Sequence, residues 1–556
     1  MVYRIIAYIS KEISSLHQAA YLLAIFAFLS QILALIRDRL LAHNFGAGIE
    51  LDMYYAAFRI PDVIFVTVAS LVSISVMIPM LVQRLEIDKD KARDLINSVF
   101  SFFFLLIVLV SFAVFMLMPF LIGFFFQGFS LSEQQETIFL ARLLLLTPIL
   151  LGLSNLLASI TQSFKQFFVY ALSPVVYNVG IITGIVFLAP HWGVTGVVLG
   201  VVLGALLHGL IQVPLVIMRG LLPKFSFPIN LALVKNIVTV SLPRTLTLGV
   251  HQLSMLVLIS MASLMVSGSI AIFNFSFNLQ SIPLSIIGVS YSLAAFPVLS
   301  QMFVRGQMKE FGQRIATAAR HVIFWSIPIA VLFIVLRAQI VRTVLGSGEF
   351  GWVETRLTAA TLALFAVSVV FQGLVLLFVK GYYSTGNTWK PFIINGISGL
   401  SIIVFSFALV QIFERVDLFR FFIEDLLRVQ GVEGTVILML PLGYSLGFIL
   451  NGIILLYFFS RDFTPLFYSI RESFFHVFSS SVIMGFVTYL ALGVLAPVFN
   501  LNTFWGIFLQ GLLSGLLGIL VGFILLYLFK SKELKEILDA VKKRFWRSRV
   551  LRDEVI

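Results

Sequence analysis

Cysteine is absent from all 556 residues, which excludes disulfides, thiol nucleophiles and thiolate metal sites. Charge is scarce as well: Asp, Glu, Lys and Arg make up 12% of the chain, well below the quarter usual in soluble proteins. No HExxH or GxxxxGK[ST] pattern occurs, so neither a zinc-protease helix nor a nucleotide-binding loop is available to drive chemistry. His208, His251 and His321 are too dispersed to ligate a metal and read as polar helix-contact residues. No cofactor is implied, and nothing in the chain looks catalytic.

What the sequence has in abundance is apolar length. Hydrophobic residues make up 60% of it and the mean hydropathy is +1.05. A helix needs about 20 apolar residues to cross a hydrocarbon core of about 30 Å, and such runs recur almost end to end. They place spans near 18–42, 52–82, 96–127, 136–160, 168–189, 194–217, 236–266 and 268–303, followed by 318–346, 355–381, 391–413, 434–460, 473–499 and 504–530. The expected fold is therefore an all-α polytopic membrane protein of about fourteen transmembrane helices, with no room for a sizeable soluble domain. The N-terminal stretch 1–17 has no uninterrupted apolar core or small-residue cleavage site, so it reads as an interfacial lead-in rather than a signal peptide. The 57 phenylalanines are assigned to lipid contact and helix packing.

The net charge of +12 sits in short connections and in the tail, a pattern that sets topology and meets anionic lipid rather than nucleic acid. Arg4 and Lys11 come first, and alternate connections then carry Arg84, Lys89, Lys91 and Arg93, then Lys165, then Arg219, Lys224 and Lys235. The intervening connections HNFGAGIEL, FQGFSLSEQQ, PHWG and SG have neither Lys nor Arg. The alternation continues through Arg305 to Arg320, Lys380 with Lys390, and Arg461 with Arg471, which predicts that both termini are cytoplasmic. One outer connection, about 414–433, mixes both signs and is a weak exception. The tail 531–556 is basic and amphipathic, suited to the anionic inner leaflet.

A short repeat suggests two halves. FKQF at Phe164–Phe167 precedes the fifth span and WKPF at Trp389–Phe392 precedes the eleventh. Six spans apart, they fit a parallel duplication: an N-lobe over 18–220, a C-lobe over 221–465, and two further helices over 466–530.

An ionised side chain at mid-bilayer costs roughly 2.5–3.5 kcal/mol on insertion scales, so charges within spans are functional candidates. Span one has Arg37, Asp38 and Arg39; span two has Asp52, Arg59 and Asp62, with Pro61 placed to kink the helix. Arg142 lies in span four, and Arg244 follows Pro243 in span seven. Bland readings stand beside these: snorkelling for Arg37 to Arg39, an N-cap for Asp52, and structural ion pairs for Arg142 and Arg244.

The stretch SQILALIRDRLLAHNFGAGIELDMYYAAFRIPD, Ser30 to Asp62, resembles the N-terminal signature of the MurJ/MviN family, lipid II flippases of the multidrug/oligosaccharidyl-lipid/polysaccharide exporter superfamily. Further matches follow in order: Arg142, Pro174 with Asn178, Gln212 with Pro214, Pro243 with Gln252, Gly268-Ser269 and Phe296-Pro297. The resemblance implies two pseudo-symmetric six-helix lobes around a cavity, with two C-terminal helices forming a lipid groove in the inner membrane. It implies a head group carried outward on an undecaprenyl-diphosphate-linked substrate, by a monomer, for cell-wall synthesis. Arg37 and Arg59 match cationic cavity positions, and Asp38 and Asp52 acidic ones. Gln31 and Asn278 stand where the family carries arginine, Phe65 replaces another arginine and Ser70 an acidic residue, so Arg244 is expected to supply charge from the opposite lobe. Gly46, Gly48, Pro61, Arg142, Pro174, Asn178 and Pro243 are expected to shape or gate the helices. Coupling to the membrane potential or to an ion is left open. The competing readings are a flippase for another lipid-linked oligosaccharide, a cation or drug antiporter of the same superfamily, a membrane-embedded transferase, and an inactive scaffold.

Overall fold

The computed structural model describes residues 16–68, 74–463, 465–539 and 542. Most of the N-terminal segment, Ser70 and most of the basic tail lie outside the described residues. Helices account for nearly all of the rest: α1 Leu16–Phe45, α2 Ile49–Thr67, α3 Ile74–Ile87, α4 Lys89–Phe125, α5 Leu131–Leu144, α6 Leu146–Ser163, α7 Phe167–Thr183, α8 Ala189–Leu210, α9 Val213–Met218, α10 Leu231–Ser263 and α11 Ser269–Leu284. There follow α12 Ser290–Val304, α13 Met308–Val335, α14 Arg337–Val344, α15 Trp352–Ala366, α16 Val369–Ser384, α17 Trp389–Arg415, α18 Asp417–Leu427, α19 Met439–Asp462, α20 Phe467–Leu495 and α21 Phe504–Leu528.

Helix starts carry the expected chemistry. Ser130 and Glu133 form a reciprocal capping box at α5, with the Ser130 N–H donating to Glu133 at 2.7 Å. Asp88 accepts from the Asp90 N–H to open α4, and Thr503 accepts from the Gly506 N–H to open α21.

Among the described residues, eleven helices are long and apolar enough to cross a membrane, or twelve if the α15–α16 pair, bent by 43°, counts as one span. The expected fourteen is not established on those terms, for two reasons. The fifth and sixth expected spans share one helical stretch, Phe167–Met218, within which Gly193 leaves helical geometry at φ 54 and ψ −139. The second expected span is divided between α2 and α3, and α2 carries Glu50, Asp52, Arg59 and Asp62.

The chain forms two compact units: Met1–Asn274 with Val344–Gly351, and Phe275–Thr343 with Trp352–Ile556. Their division at Asn274/Phe275 differs from the lobe boundary expected at 220/221, because α10 packs along α2 within the first unit.

In the first unit, α7, continued by the π-helical turn Gly184–Leu188, and α8 approach backbone to backbone. A Cβ on Gly184 would lie 2.5 Å from the Gly200 Cα, and one on Gly180 would lie 2.3 Å from the Gly204 Cα. Small residues are what permit such close helix packing in lipid, where there is no hydrophobic drive between helices. The second unit repeats the device in α17 and α19, where a Cβ on Gly443 would lie 2.6 Å from the Ser406 backbone. These helix pairs are the ones opened by Phe167 and Trp389, at the ends of the two tetrapeptides that suggested a repeat. Each unit also has its own apolar core: Met77, Leu81, Leu95, Val99 and Ile160 in the first, and Phe311, Phe378, Tyr382 and Phe459 in the second. Phenylalanines also line the exterior, with Phe120 69% and Phe407 60% exposed, as lipid-facing surface requires.

Candidate functional site

Charged groups gather inside the first unit on α1 and α2, with uncharged polar partners on α7 and at the start of α11. Arg37 is held by its neighbour Asp38, with Nε 2.9 Å and Nη2 2.8 Å from Oδ1. Its Nη1 also donates to Asn178 Oδ1 at 3.5 Å, while Asn178 Nδ2 donates to Ser30 and to the Pro174 carbonyl at 3.1 Å each. The Asn178 amide thus bridges α1 and α7 and steers the guanidinium. Asp38 is buried, and burial of a carboxylate in such a setting demands the partner it has.

Asp52 does not cap its own helix, which Gly48 begins. Its carboxylate instead accepts the Gly268 N–H at 2.6 Å and the Ala271 N–H at 2.8 Å, satisfying two donors at the start of α11. A negative charge there is also favoured by the helix dipole. The approach is close because Gly268, at φ +89, has no Cβ; one built there would lie 1.9 Å from the Ala47 carbonyl oxygen.

Two turns after Asp52, Arg59 donates through Nη2 to Asn274 Oδ1, and Asn274 is in turn fixed by donating to the Ile270 carbonyl at 2.7 Å. The Arg59 Nε is buried and has no hydrogen-bond partner. Among the described residues this leaves one donor of the guanidinium without an acceptor. Pro61 lies within a helix that continues to Thr67.

The remaining expected residues are placed differently. Among the described residues Arg142 makes no ion pair; its Nε donates to the Phe115 carbonyl at 3.2 Å and its guanidinium lies 4.4 Å over the Phe115 ring. Pro243 does not break span seven, since α10 runs continuously from Leu231 to Ser263. Arg244, half-buried on that helix, falls within the first unit together with Arg37 and Arg59. Gln31 is half-buried on α1, and Asn278 is half-buried on the part of α11 that belongs to the second unit. His208 is a helix-contact residue, 2.7 Å from Ser154 Oγ, to which Gln212 also donates.

Sequence reasoning missed two features. One is Asn274, the partner of Arg59, for which an uncharged amide in an apolar run was the sole signal. The other is the segment Val344–Gly351, which joins the first unit: Arg39 Nη1 donates to the Val344 carbonyl at 3.2 Å and the Glu349 N–H donates to the His43 carbonyl at 3.0 Å. Gly348, at φ +60, makes this possible, since a Cβ there would lie 2.2 Å from the His43 carbonyl oxygen. Gly46 faces the same segment, 2.8 Å from the Glu349 carbonyl oxygen by the same measure.

Fold and cluster together define a polytopic, all-helical transporter whose charged side chains are sheltered inside a membrane unit. Among the described residues no group of three metal-ligating side chains occurs. The family model for the lipid II flippase MurJ matches residues 41–513, and the chain belongs to that family. It is accordingly a flippase and not an enzyme. A probable lipid II flippase MurJ from Rickettsia prowazekii (strain Madrid E) is 26% identical over 383 residues, covering 68% of this chain and 75% of the relative. The lipid II flippase MurJ of Burkholderia cenocepacia is 24% identical over 382 residues, covering 66% and 73%. Among solved structures, a lipid II flippase MurJ in an inward closed conformation superimposes with a TM-score of 0.73 at 24% identity, covering 93% of this chain and all of that one. An inward-facing MATE family multidrug transporter gives 0.62 at 15% identity, covering 79% and 95%, a likeness of fold.

Proposed function

We propose that this chain carries the head group of lipid II from the cytoplasmic to the outer leaflet of the inner membrane by alternating access of its two lobes. The observation that supports this reading best is Arg59: a guanidinium on an apolar helix, steered by Asn274, with a buried Nε that has no partner. Arg37, oriented by Asp38 and Asn178, offers a second cation. Arginine forks match phosphate oxygens in geometry and charge, so the pair suits a diphosphate whose lipid tail stays in the bilayer. Asp52 serves helix α11 in this reading and does not touch substrate.

A substrate shifts the equilibrium between inward and outward states only by its differential affinity for the two. The membrane potential can contribute as well, at about 2.3 kcal/mol per elementary charge moved across 100 mV. We take the working unit to be a monomer with both termini cytoplasmic and the basic tail on anionic lipid. The test is complementation of a flippase-depleted strain, scored by surface labelling of lipid II. Labelling restored by the native chain and lost with Arg59→Gln supports the reading; no restoration by a correctly inserted native chain overturns it.

A further inference from the structure

The connection near 414–433, where the sequence mixes both signs of charge, contains a helix. After α17 ends at Arg415, Val416 interrupts the helical path at φ −116 and ψ 90, and α18 runs from Asp417 to Leu427. One face of α18 is fastened to the second unit. Ile423, Glu424 and Leu427 are buried, Glu424 accepts from Thr435 Oγ1 at 2.7 Å, and Arg337 Nη2 donates to the Leu427 carbonyl at 3.4 Å. Arg428, at φ 60, ends the helix, and its carbonyl accepts from Arg356 Nη2 at 2.7 Å. The opposite face is bare. Leu418, Phe421, Phe422 and Leu426 recur at helical spacing and are 57–80% exposed. Asp425, the charge within that arc, lies in the last turn, where Gln430 donates to it.

We propose that α18 is an interfacial helix whose bare face lies among the lipids at the edge of the bilayer. What covers that face follows from continuity. Val404, Phe407 and Ile412 are exposed on α17, a helix long and apolar enough to span, and Val416 and Leu418 carry the exposed apolar surface on into α18. One residue separates the two helices, so the lipid that covers α17 extends over α18. The four side chains cannot turn inward instead, because Thr435, Arg337 and Arg356 hold the helix by its other face and its end. Glu414, Arg415, Asp417 and Arg420, on and beside the helix, include both signs of charge. Burial of apolar surface, and not attraction to anionic lipid, is therefore what holds it in place. By the orientation proposed above, the leaflet is the outer one. The inference concerns the surface of the second unit, apart from Arg37 and Arg59 in the first, and its test does not depend on transport.

The test uses the full chain reconstituted in lipid vesicles. Since the chain has no cysteine, one spin label at a time can be placed: Leu418→Cys or Phe422→Cys on the bare face, Phe407→Cys on α17 as the lipid reference, and Glu433→Cys beyond α18 as the water reference. Collision with oxygen and with a water-soluble nickel chelate gives the depth of each label. Labels on the bare face should favour oxygen and lie about 5–10 Å into the boundary between head groups and acyl chains, between the two references. The depth should be the same in phosphatidylcholine vesicles and in vesicles containing phosphatidylglycerol. Nickel access equal to that at Glu433→Cys overturns the proposal, as does a lipid-buried position found with phosphatidylglycerol alone. Shielding from both reagents, with dipolar broadening between labels, places a second copy of the chain on the face and overturns the lipid assignment. Complementation is scored separately: a rescued strain whose α18 labels sit in water sinks this inference alone, and lipid-buried labels in a chain that does not rescue sink the flippase reading alone.

Discussion

Replacing Asp52 separates two roles that its position alone does not distinguish. In the structure its two oxygens accept the N–H groups of Gly268 and Ala271 at 2.6 and 2.8 Å, at the buried start of α11. A hydrogen bond to a charged group contributes about 1.5–3 kcal/mol, and a buried donor left without an acceptor costs about 1–3 kcal/mol. Asp52→Asn keeps one acceptor oxygen and turns an amide donor toward the other N–H, so the loss should be about 2–3 kcal/mol. Asp52→Ala removes both acceptors and the charge opposite the helix dipole, and should cost about 3–5 kcal/mol. Thermal unfolding of the purified variants in one detergent gives the ranking, native above Asn above Ala, and surface labelling of lipid II gives transport alongside it. The reasoning is refuted if Asp52→Asn melts like the native chain while transport is abolished, because the carboxylate would then act on substrate and not on the helix.

Other outcomes follow from the same structure. Gly200→Val should force α7 and α8 apart and lower folded yield, an overpacking cost of about 1–3 kcal/mol readable as a lower melting temperature. Arg59→Lys should transport less than the native chain while melting normally, since an ammonium lacks the planar fork that can bond Asn274 and an oxyanion together; equal transport would remove Arg59 from the substrate site. Arg142→Gln should leave lipid II labelling within a few-fold of native, as its partners are a carbonyl and a ring of the same unit. The absence of cysteine makes the native chain a clean background for topology: single cysteines at Ser132 and Trp192 should react with an impermeant maleimide added to whole cells, and ones at Lys89 and Lys309 should not. The reverse pattern would invert the proposed orientation.

Much of the fold was legible because bilayer thickness fixes the length of a span and lipid punishes charge within it. Arg37, Asp38, Asp52 and Arg59 stood out for the same reason, as charges in otherwise apolar helices. Their partners did not. Asp52 reaches Gly268 and Ala271, and Arg59 reaches Asn274, more than two hundred residues along the chain, and neither a backbone N–H nor a lone amide leaves a periodic trace. Pro243 was expected to shape or gate its helix, whereas α10 runs unbroken through the proline and packs along α2. The count of spans was least legible where glycine or charge interrupts apolar length, at Gly193 and along α2.

The excursion of Val344–Gly351 makes the first unit discontinuous in sequence. This short segment is fastened at the C-terminal end of α1, where Arg39 holds the Val344 carbonyl and the His43 carbonyl accepts the Glu349 N–H. The last turn of a helix has carbonyls without intrahelical partners, and here one of them finds its donor about three hundred residues further along the chain. During synthesis, that end of α1 therefore waits for its partner until the chain has been made as far as Glu349.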